Sequence, residues 1–429
     1  MRFKFESLHY GWIILTVGTL VVFGALGLGR LGYGMVLPAM QEGLGLDNTQ
    51  AGALASANLT GYLCLSALGG ALASRFGPRV VITVGMTLAG ASMVLTGLSH
   101  GIIDTGIWRT ITGVGSGASN VPIMGLLAAW FSLRRRGVAS GIAVAGSSIA
   151  LILLGYAAPP VLAAYGDSGW RVCWFAYGGI TLFVAALAGL LLRNCPSEYN
   201  LCPVGDANGT PPVPVKSEGL RWSLIYRSRA VWQMGFVYTA YGFAYITYLT
   251  FFVKGLIADG GYTQAQAGQL FMTMGWVSLS CGLIWGHVSD VIGRKGALVI
   301  VYLIQAVAYS LYAFMPTSVG FTLSALLFGV TAFSVPAIIA AACGDMLGPR
   351  LAPAALGFVT LFLGIGQAVG PTVGGMIGDA AGSLPPAMIP PAVASALGAI
   401  GAALMPATVN RDTSAGPADN AENGKDGVA

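Results

Sequence analysis

Two short stretches of this sequence match one another: Gly70-Ala-Leu-Ala-Ser74-Arg75-Phe-Gly77-Pro-Arg79 and Gly286-His-Val-Ser-Asp290-Val-Ile-Gly293-Arg294-Lys295. Each stands between two long apolar runs and combines turn-forming glycines with basic residues. Such cations can reach the carbonyl groups at helix C-termini or the headgroups of phospholipids. The repetition predicts a chain built from two related halves.

The composition restricts the class of protein. Of the 429 residues, 55% are hydrophobic and 9% are charged, against about 25% charged residues in soluble domains. Too few charges remain to coat a soluble enzyme, and disorder would need low hydrophobicity. The net charge of +5 does not indicate nucleic acid as a partner, because the basic residues are scattered in short loops rather than clustered on one face.

Twelve apolar runs follow one another, each long enough to cross about 30 Å of hydrocarbon as a helix. As spans 1 to 12, they are residues 11–37, 51–73, 80–99, 103–130, 138–163, 171–192, 230–253, 266–286, 297–315, 319–343, 354–378 and 385–407. The sequence therefore predicts an all-α integral membrane protein with twelve transmembrane helices, and the lipid bilayer as its partner.

The distribution of basic residues predicts the orientation of these spans. With the N-terminus inside, 17 of the 21 Lys and Arg residues fall on cytoplasmic segments, as the positive-inside rule requires. We expect a multi-pass protein of the cell inner membrane with both termini cytoplasmic. A proline-rich segment then divides six spans from six. The expected organisation is a bundle over 1–193, a linker over 194–229, a bundle over 230–407 and a disordered tail over 408–429.

The two quoted stretches resemble the loop motif G-x-x-x-D-R-x-G-R-R of the major facilitator superfamily, at the two loops where that family carries it. Ser74 and Val291 depart from the pattern. Span 4 contains Arg109-Thr-Ile-Thr-Gly113-Val-Gly115, which is similar to the family's R-x-x-x-G-x-G motif. The resemblance covers essentially the whole chain.

A narrower resemblance links the chain to bacterial monocarboxylate and oxalate/formate-type carriers. It rests on Tyr10-Gly11-Trp12 and on Trp130-Phe131-Ser-Leu-Arg134-Arg135-Arg136-Gly137. The acidic residue that monocarboxylate porters carry before Gly-Trp is absent here, and so is their Asp/Arg pair in span 8.

The resemblance implies two six-helix bundles that rock about a central cavity lined by spans 1, 4, 7 and 10. It implies a secondary transporter rather than an enzyme, with a small organic anion, a monocarboxylate above all, as substrate. Proton symport and anion exchange both remain open. The loop residues implied to control the conformational change are Gly70, Arg75, Gly77, Arg79, Gly286, Asp290, Gly293 and Arg294.

Two arginines lie inside predicted spans, where a guanidinium costs several kcal/mol. Arg30 in span 1 and Arg109 in span 4 are expected at similar depth, and no Asp or Glu falls in the middle of any predicted span. One interpretation is that the missing counter-charge is an anionic substrate, held by charge-assisted hydrogen bonds. The alternative is that each arginine is a structural donor to neighbouring carbonyl groups. Asp104 is the nearest acid along the chain. It is either a proton-coupling site or a cap of span 4.

Other polar residues recur at three- or four-residue intervals and so share helix faces with one another or with these arginines. Four tyrosines on one face of span 7 predict cavity walls with hydroxyl donors. The additional substrate-binding candidates are Tyr33, Ser116, Asn120, Tyr238, Tyr241, Tyr245, Tyr248, Gln269, Thr273, Trp276, Ser334 and Gln367. The alternative for the span 7 tyrosines is an interfacial aromatic belt, and for the candidates on spans 8, 10 and 11 it is helix-to-helix packing.

Several other functions are disfavoured. The six cysteines and three histidines have no metal-ligand spacing, so no metal is expected, and no cofactor is expected either. Gly27-x-Gly29-x-x-Gly32 imitates a dinucleotide fingerprint, but no strand precedes it. The alternatives that remain are a multidrug or metabolite efflux carrier of the same fold, and a membrane sensor or channel. We expect a monomer.

Overall fold

The computed structural model of the chain describes residues 9–132, 135–205 and 226–405, and this part is helical, with a single isolated bridge between Phe131 and Val204. Within these residues, every predicted span falls on helical backbone apart from short breaks in spans 8 and 10, and the last two residues of span 12 lie outside them. The helices are Tyr10–Val22, Phe23–Leu31 (a π-helix), Gly32–Leu44, Asn48–Phe76, Pro78–Gly97, Ile102–Trp130, Arg136–Tyr165, Gly169–Leu191, Arg229–Ala258, Gln264–Ser278, Cys281–Ile292, Arg294–Phe314, Ser318–Thr331, Ser334–Ala381 and Ile389–Ala403. The predicted tail over 408–429 and most of the predicted linker lie outside the described residues.

Eight helical stretches of the described chain are long and apolar enough to cross a membrane, or nine if the bent helix Asn48–Phe76 counts as one span. One stretch, Arg136–Leu191, contains spans 5 and 6, joined by a single 3-10 turn. Span 8 falls outside the count because it breaks at Leu279–Ser280. Span 4 falls outside the count because its polar residues lower its mean hydropathy.

The two halves of the chain meet closely at one end, which we call the closed end. A Cβ on Gly52 of span 2 would lie 2.1 Å from the Pro371 carbonyl oxygen of span 11. A Cβ on Gly155 of span 5 would lie 2.4 Å from the Gly268 carbonyl oxygen of span 8. Only glycine permits backbones to approach this closely. Spans 2 and 5 of the first half therefore pack directly on spans 11 and 8 of the second.

At the other end, which carries the two repeated loops and which we call the basic end, the same four spans are apart. A Cβ on Gly70, Gly141, Gly282 or Gly357 would meet no atom within 4 Å among the described residues. Val291 is 71% exposed. The interface between the halves is therefore shut at the closed end and open at the basic end.

The repeated loops share one backbone geometry. Gly77 has φ 84° and Gly293 has φ 85°, a left-handed value that side chains disfavour, and each begins the next helix. Their polar contacts differ. Arg79 donates from Nε to the Gly189 carbonyl oxygen, 2.8 Å away, at the end of span 6.

In the second loop, Arg294 makes ion pairs with Asp290 and with Asp345, its Nε lying 2.9 Å from the Asp345 Oδ2. The first loop lacks the first of these pairs because Ser74 replaces the acid, and the Ser74 hydroxyl donates to the Gly70 carbonyl instead. Arg75 lies over the ring of Phe76.

Hydrogen bonds to a carboxylate join the halves at the closed end. The Asp379 carboxylate, one residue after span 11, accepts hydrogen bonds from the Asn48 and Thr49 backbone N–H groups, at 2.9 and 2.7 Å, and from the Thr49 hydroxyl. These N–H groups begin the helix Asn48–Phe76 that contains span 2. They have no partner within their own helix, so a carboxylate there is stabilised by the helix dipole. Lys254 of span 7 donates to the Asn48 side chain. Asp379 thus fastens span 11 to span 2.

Replacing Asp379 by alanine should loosen the closed end, because three hydrogen bonds between the halves lose their acceptor. The reporter is Ser56→Cys in a background without native cysteines, since the Ser56 hydroxyl is buried against Thr372 of the other half. We expect an impermeant maleimide to label it about tenfold faster in Asp379→Ala, the equivalent of about 1.4 kcal/mol. Asp345→Ala, which breaks a contact within the second half, is the control, and equal acceleration in both variants would contradict this assignment.

Candidate functional site

Span 1 changes its helical geometry at its centre. Phe23–Leu31 is π-helical, between regular helices on either side. The segment is rich in glycine, and a Cβ on Gly27 would lie 2.2 Å from the Ala150 Cβ of span 5. Short π-helical stretches are rare and concentrate at functional sites. Arg30 is the penultimate residue of this one.

Arg30 reaches across to the second half of the chain. Its Nη1 donates to the Tyr245 hydroxyl of span 7 at 3.0 Å, and the same oxygen accepts from the Gln367 Nε2 of span 11 at 2.6 Å. The guanidinium carbon lies 4.5 Å from the ring centre of Tyr62 in span 2, whose hydroxyl accepts from the Asn120 Nδ2 of span 4 at 2.9 Å. We call Arg30, Tyr62, Asn120, Tyr245 and Gln367 the Arg30 cluster.

The Arg30 cluster contains more hydrogen-bond donors than acceptors. Nε and Nη2 of Arg30 are buried without an acceptor among the described residues. The ion pairs of the described residues involve Arg294 alone, so the Arg30 charge is not balanced by a carboxylate within 4.0 Å. A buried charge in this condition is expensive unless it is paired. The arrangement suits a negatively charged acceptor group.

Arg109 does not share this position, which corrects the expectation of two cations in one cavity. It is 1% exposed and enclosed within the first half. Its Nη1 donates to the Gly29 carbonyl of span 1 at 2.7 Å, and its guanidinium lies over the rings of Tyr33 and Trp174. Arg109 therefore holds the π-helical segment beside Arg30, through contacts that belong to the first half.

Three further candidates from the first half have structural contacts. The Tyr33 hydroxyl donates to the Ala51 carbonyl at 2.7 Å, and the Ser116 hydroxyl donates to the Ala25 carbonyl at 2.9 Å. Both join neighbouring spans. The Asp104 carboxylate accepts from three backbone N–H groups, those of His100, Gly101 and Thr105. It caps the start of span 4, which is the second of the two roles expected for it.

The four tyrosines of span 7 divide between two environments. Tyr238, Tyr241 and Tyr245 stack in sequence, with ring centres 6.1 and 4.7 Å apart, and run from the Arg30 cluster toward the basic end. Tyr248 points instead into the second half, where its hydroxyl pairs with Ser324 at 2.8 Å and its ring packs against Tyr309. Tyr248 is therefore a core residue, contrary to the expectation.

Span 10 breaks beside Ser334, where its helix ends at Thr331 and restarts. Three carbonyl groups at the break accept hydrogen bonds from side chains. Tyr241 donates to Ala332 at 2.5 Å, Trp285 donates to Val330 at 2.8 Å, and the Ser334 hydroxyl donates to Thr331. The Ser334 hydroxyl thus maintains the break and does not reach the Arg30 cluster.

The predicted stripe on span 8 lies elsewhere. Gln269 and Trp276 are exposed, Trp276 by 58%, and the Thr273 hydroxyl donates to the Gln269 carbonyl of its own helix. They occupy the face opposite Phe271, which packs on Phe252 of span 7. The structure does not bring these three side chains to the Arg30 cluster.

Sequence reasoning missed Tyr62, which joins Arg30 to Asn120. The available signal was a lone tyrosine within span 2, and periodicity could not show that its ring meets an arginine of span 1. No group of three His, Cys, Asp or Glu residues in the described part of the chain is arranged to hold a metal ion.

Tyr245→Phe should destabilise the protein, because Arg30 Nη1 and Gln367 Nε2 lose their shared acceptor. A buried donor left unpaired costs about 1–3 kcal/mol, so we expect a lower thermal unfolding midpoint in detergent. Adding Gln367→Leu should recover part of the loss, since it removes one unpaired donor. Tyr248→Phe, in which a bond to Ser324 is lost, is the control that Gln367→Leu should not rescue. Equal effects in both backgrounds would refute the pairing.

The sequence of the chain is similar to those of known transporters. The chain is 26% identical over 272 residues to the probable sulfoacetate transporter SauU of Cupriavidus necator, covering 62% of this chain and 61% of that protein. It is 28% identical to human monocarboxylate transporter 11, covering 49% of this chain and 42% of that protein. The matched regions thus span less than two thirds of these relatives.

Solved structures show the same fold. The crystal structure of a D-xylose-proton symporter matches 92% of this chain and 97% of its own, with a TM-score of 0.72 at 16% identity. The family model described as "Uncharacterised MFS-type transporter YbfB" matches residues 22–405. The chain therefore belongs to this family of major facilitator transporters and is not an enzyme.

Proposed function

We propose that this protein is a secondary active transporter of a small organic anion, a monocarboxylate, and that Arg30 binds the carboxylate. The observation that carries the proposal is the pair of buried, unpartnered donors on Arg30, Nε and Nη2. These two atoms lie on one edge of the guanidinium, and a carboxylate can accept from both at once. The third nitrogen, Nη1, is already occupied by Tyr245.

The position of Arg30 supports transport rather than simple binding. Arg30 contacts Tyr62 of the first half and Tyr245 of the second. Asn120 and Gln367 bind these two tyrosines from the first and second half, respectively. A ligand held there contacts both halves, so it can favour one arrangement of the halves over another. Residues 1–193 and 230–407 are the two bundles that we propose move relative to each other around this ligand, in alternating access.

The names of the relatives support an anionic substrate. One is a probable sulfoacetate transporter and another is a monocarboxylate transporter. The alternative, efflux of cationic drugs, would need a buried acid near the substrate. Among the described residues, the Arg30 cluster contains none.

We further propose that the basic end faces the cytoplasm of the cell inner membrane, with both termini on that side. Arg79, Arg193, Arg294 and Lys295 all lie at this end, as the positive-inside rule favours. The open side of the interface is then cytoplasmic, and the contact between Asp379 and span 2 faces outward.

Arg30→Gln should abolish anion binding, because the bidentate edge and the charge are both lost. Acetate, propionate, lactate, pyruvate and benzoate are screened by thermal shift on purified protein. A ligand at 100 times its Kd stabilises the native state by about 2.7 kcal/mol, and we expect this stabilisation in the wild type only. Arg30→Lys should bind weakly, since it keeps the charge without the fork.

Arg171→Gln serves as the control for that experiment. Arg171 donates to the Gly97 and Ser99 carbonyls at the closed end, away from the Arg30 cluster, so this variant should respond to the same acids as the wild type. An Arg30→Gln protein that binds the anion with unchanged affinity would exclude the proposed role.

The coupling mode is measured in proteoliposomes. None of the five residues of the Arg30 cluster has a carboxylate that could carry a proton. We therefore expect any proton to move with the substrate. Uptake should then rise with an inwardly directed proton gradient, and Asp104→Asn should keep this response. Uptake that ignores the gradient but is accelerated by internal anion would instead establish exchange.

A further inference from the structure

The Arg30 cluster also contains one acceptor that is not used. The Asn120 Oδ1 is buried without a hydrogen-bond donor among the described residues, while its Nδ2 is bound to the Tyr62 hydroxyl. A buried carbonyl oxygen without a donor costs about 1–3 kcal/mol. A site that needed only to hold a carboxylate would have no use for it.

We propose that Asn120 reads a hydroxyl group on the substrate, so that the transported anion is a hydroxylated carboxylate. This inference rests on the proposed function. Arg30 offers two donors to the carboxylate, and Asn120 Oδ1 offers an acceptor to an O–H donor elsewhere on the same molecule. Tyr62 lies between them, its ring against Arg30 and its hydroxyl on Asn120. The substrate carboxylate would therefore lie beside the Tyr62 ring and the substrate hydroxyl beside the Tyr62 phenol oxygen.

The depths of the residues give the ligand a direction. Asn120 is ten residues from Trp130, where span 4 ends at the basic end, whereas Arg30 is twenty residues from Tyr10, where span 1 begins at that end. Asn120 is thus nearer the open side and Arg30 is deeper. The carboxylate enters first and the hydroxyl follows, alongside the stacked Tyr238 and Tyr241.

This arrangement makes the hydroxyl a condition of tight binding. An acid without a hydroxyl would leave Asn120 Oδ1 unpaired in the complex, and sites built to hydrogen-bond a substrate group discriminate strongly against analogues that lack it. A hydroxylated acid should therefore bind at least tenfold more tightly than its unsubstituted partner of equal length.

The test compares matched acids by equilibrium binding to purified protein: hexanoate with 6-hydroxyhexanoate, butanoate with 4-hydroxybutanoate, and benzoate with 4-hydroxybenzoate. In the wild type we expect the hydroxylated member of at least one pair to bind tenfold or more tightly. In Asn120→Leu, its affinity should fall to that of the unsubstituted member. Gln233 lies near the start of span 7, outside the Arg30 cluster, and its amide donates to the Gly401 carbonyl. The control variant Gln233→Leu should therefore keep the preference.

A second variant tests the same preference independently, in case Asn120→Leu does not fold. Tyr62→Phe keeps the ring against Arg30 but removes the hydroxyl that orients the Asn120 amide, so the preference should shrink. Acids that bind through Arg30 with no preference, or a preference that survives both substitutions, would overturn the hydroxyl assignment and leave the anion transporter intact. Binding of none of these acids, with Arg30→Gln indistinguishable from wild type, would overturn both.

Discussion

The structure depends on one electrostatic constraint, the placement of a guanidinium in a low-dielectric interior without a carboxylate beside it. With only 9% charged residues, the chain places few charges within its spans, and each of them needs partners there. Arg30 is given a tyrosine hydroxyl and an aromatic ring, and two of its donors stay unsatisfied. That deficit is tolerable in a protein whose ligand supplies the missing acceptors, because the binding energy then includes relief of the deficit.

Arg109 meets the same constraint in another way. It is more deeply buried than Arg30, and it donates to a backbone carbonyl and packs against two aromatic rings, all within the first half. One of its nitrogens, Nε, has no acceptor among the described residues, against two for Arg30. Because the carbonyl belongs to Gly29, Arg109 acts on the residue that precedes Arg30. The two arginines are thus parts of one assembly. The buried one stabilises the π-helical turn, and the turn presents the other to the second half.

The sequence predicted the helical membrane fold well. Polar groups are costly in lipid, so membrane spans appear as long apolar runs and basic residues collect in the loops between them. The two repeated glycine turns were also recognisable in the sequence, and Gly77 and Gly293 adopt the same left-handed φ. The site was only partly predictable. Helical periodicity places Tyr245 and Tyr248 on one face of span 7, but it cannot reveal which neighbour each ring meets. Tyr245 reaches Arg30, while Tyr248 is buried against Ser324. Tyr62 was missed for the same reason, since its contact is with another span.

Two sets of hydrogen bonds between the halves lie at different depths, one at the closed end and one at the Arg30 cluster. At the closed end, Asp379 binds the N-terminus of span 2 through three hydrogen bonds, reinforced by close backbone contact at Gly52. In the middle, the link is the Tyr245 hydroxyl, shared between Arg30 and Gln367. In the proposed function, a carboxylate pairs with Nε and Nη2 of Arg30 and leaves Nη1 to the Tyr245 hydroxyl. The central link between the halves would therefore survive binding of the anion, and opening of the other side would depend on breaking the hydrogen bonds of Asp379 at the closed end.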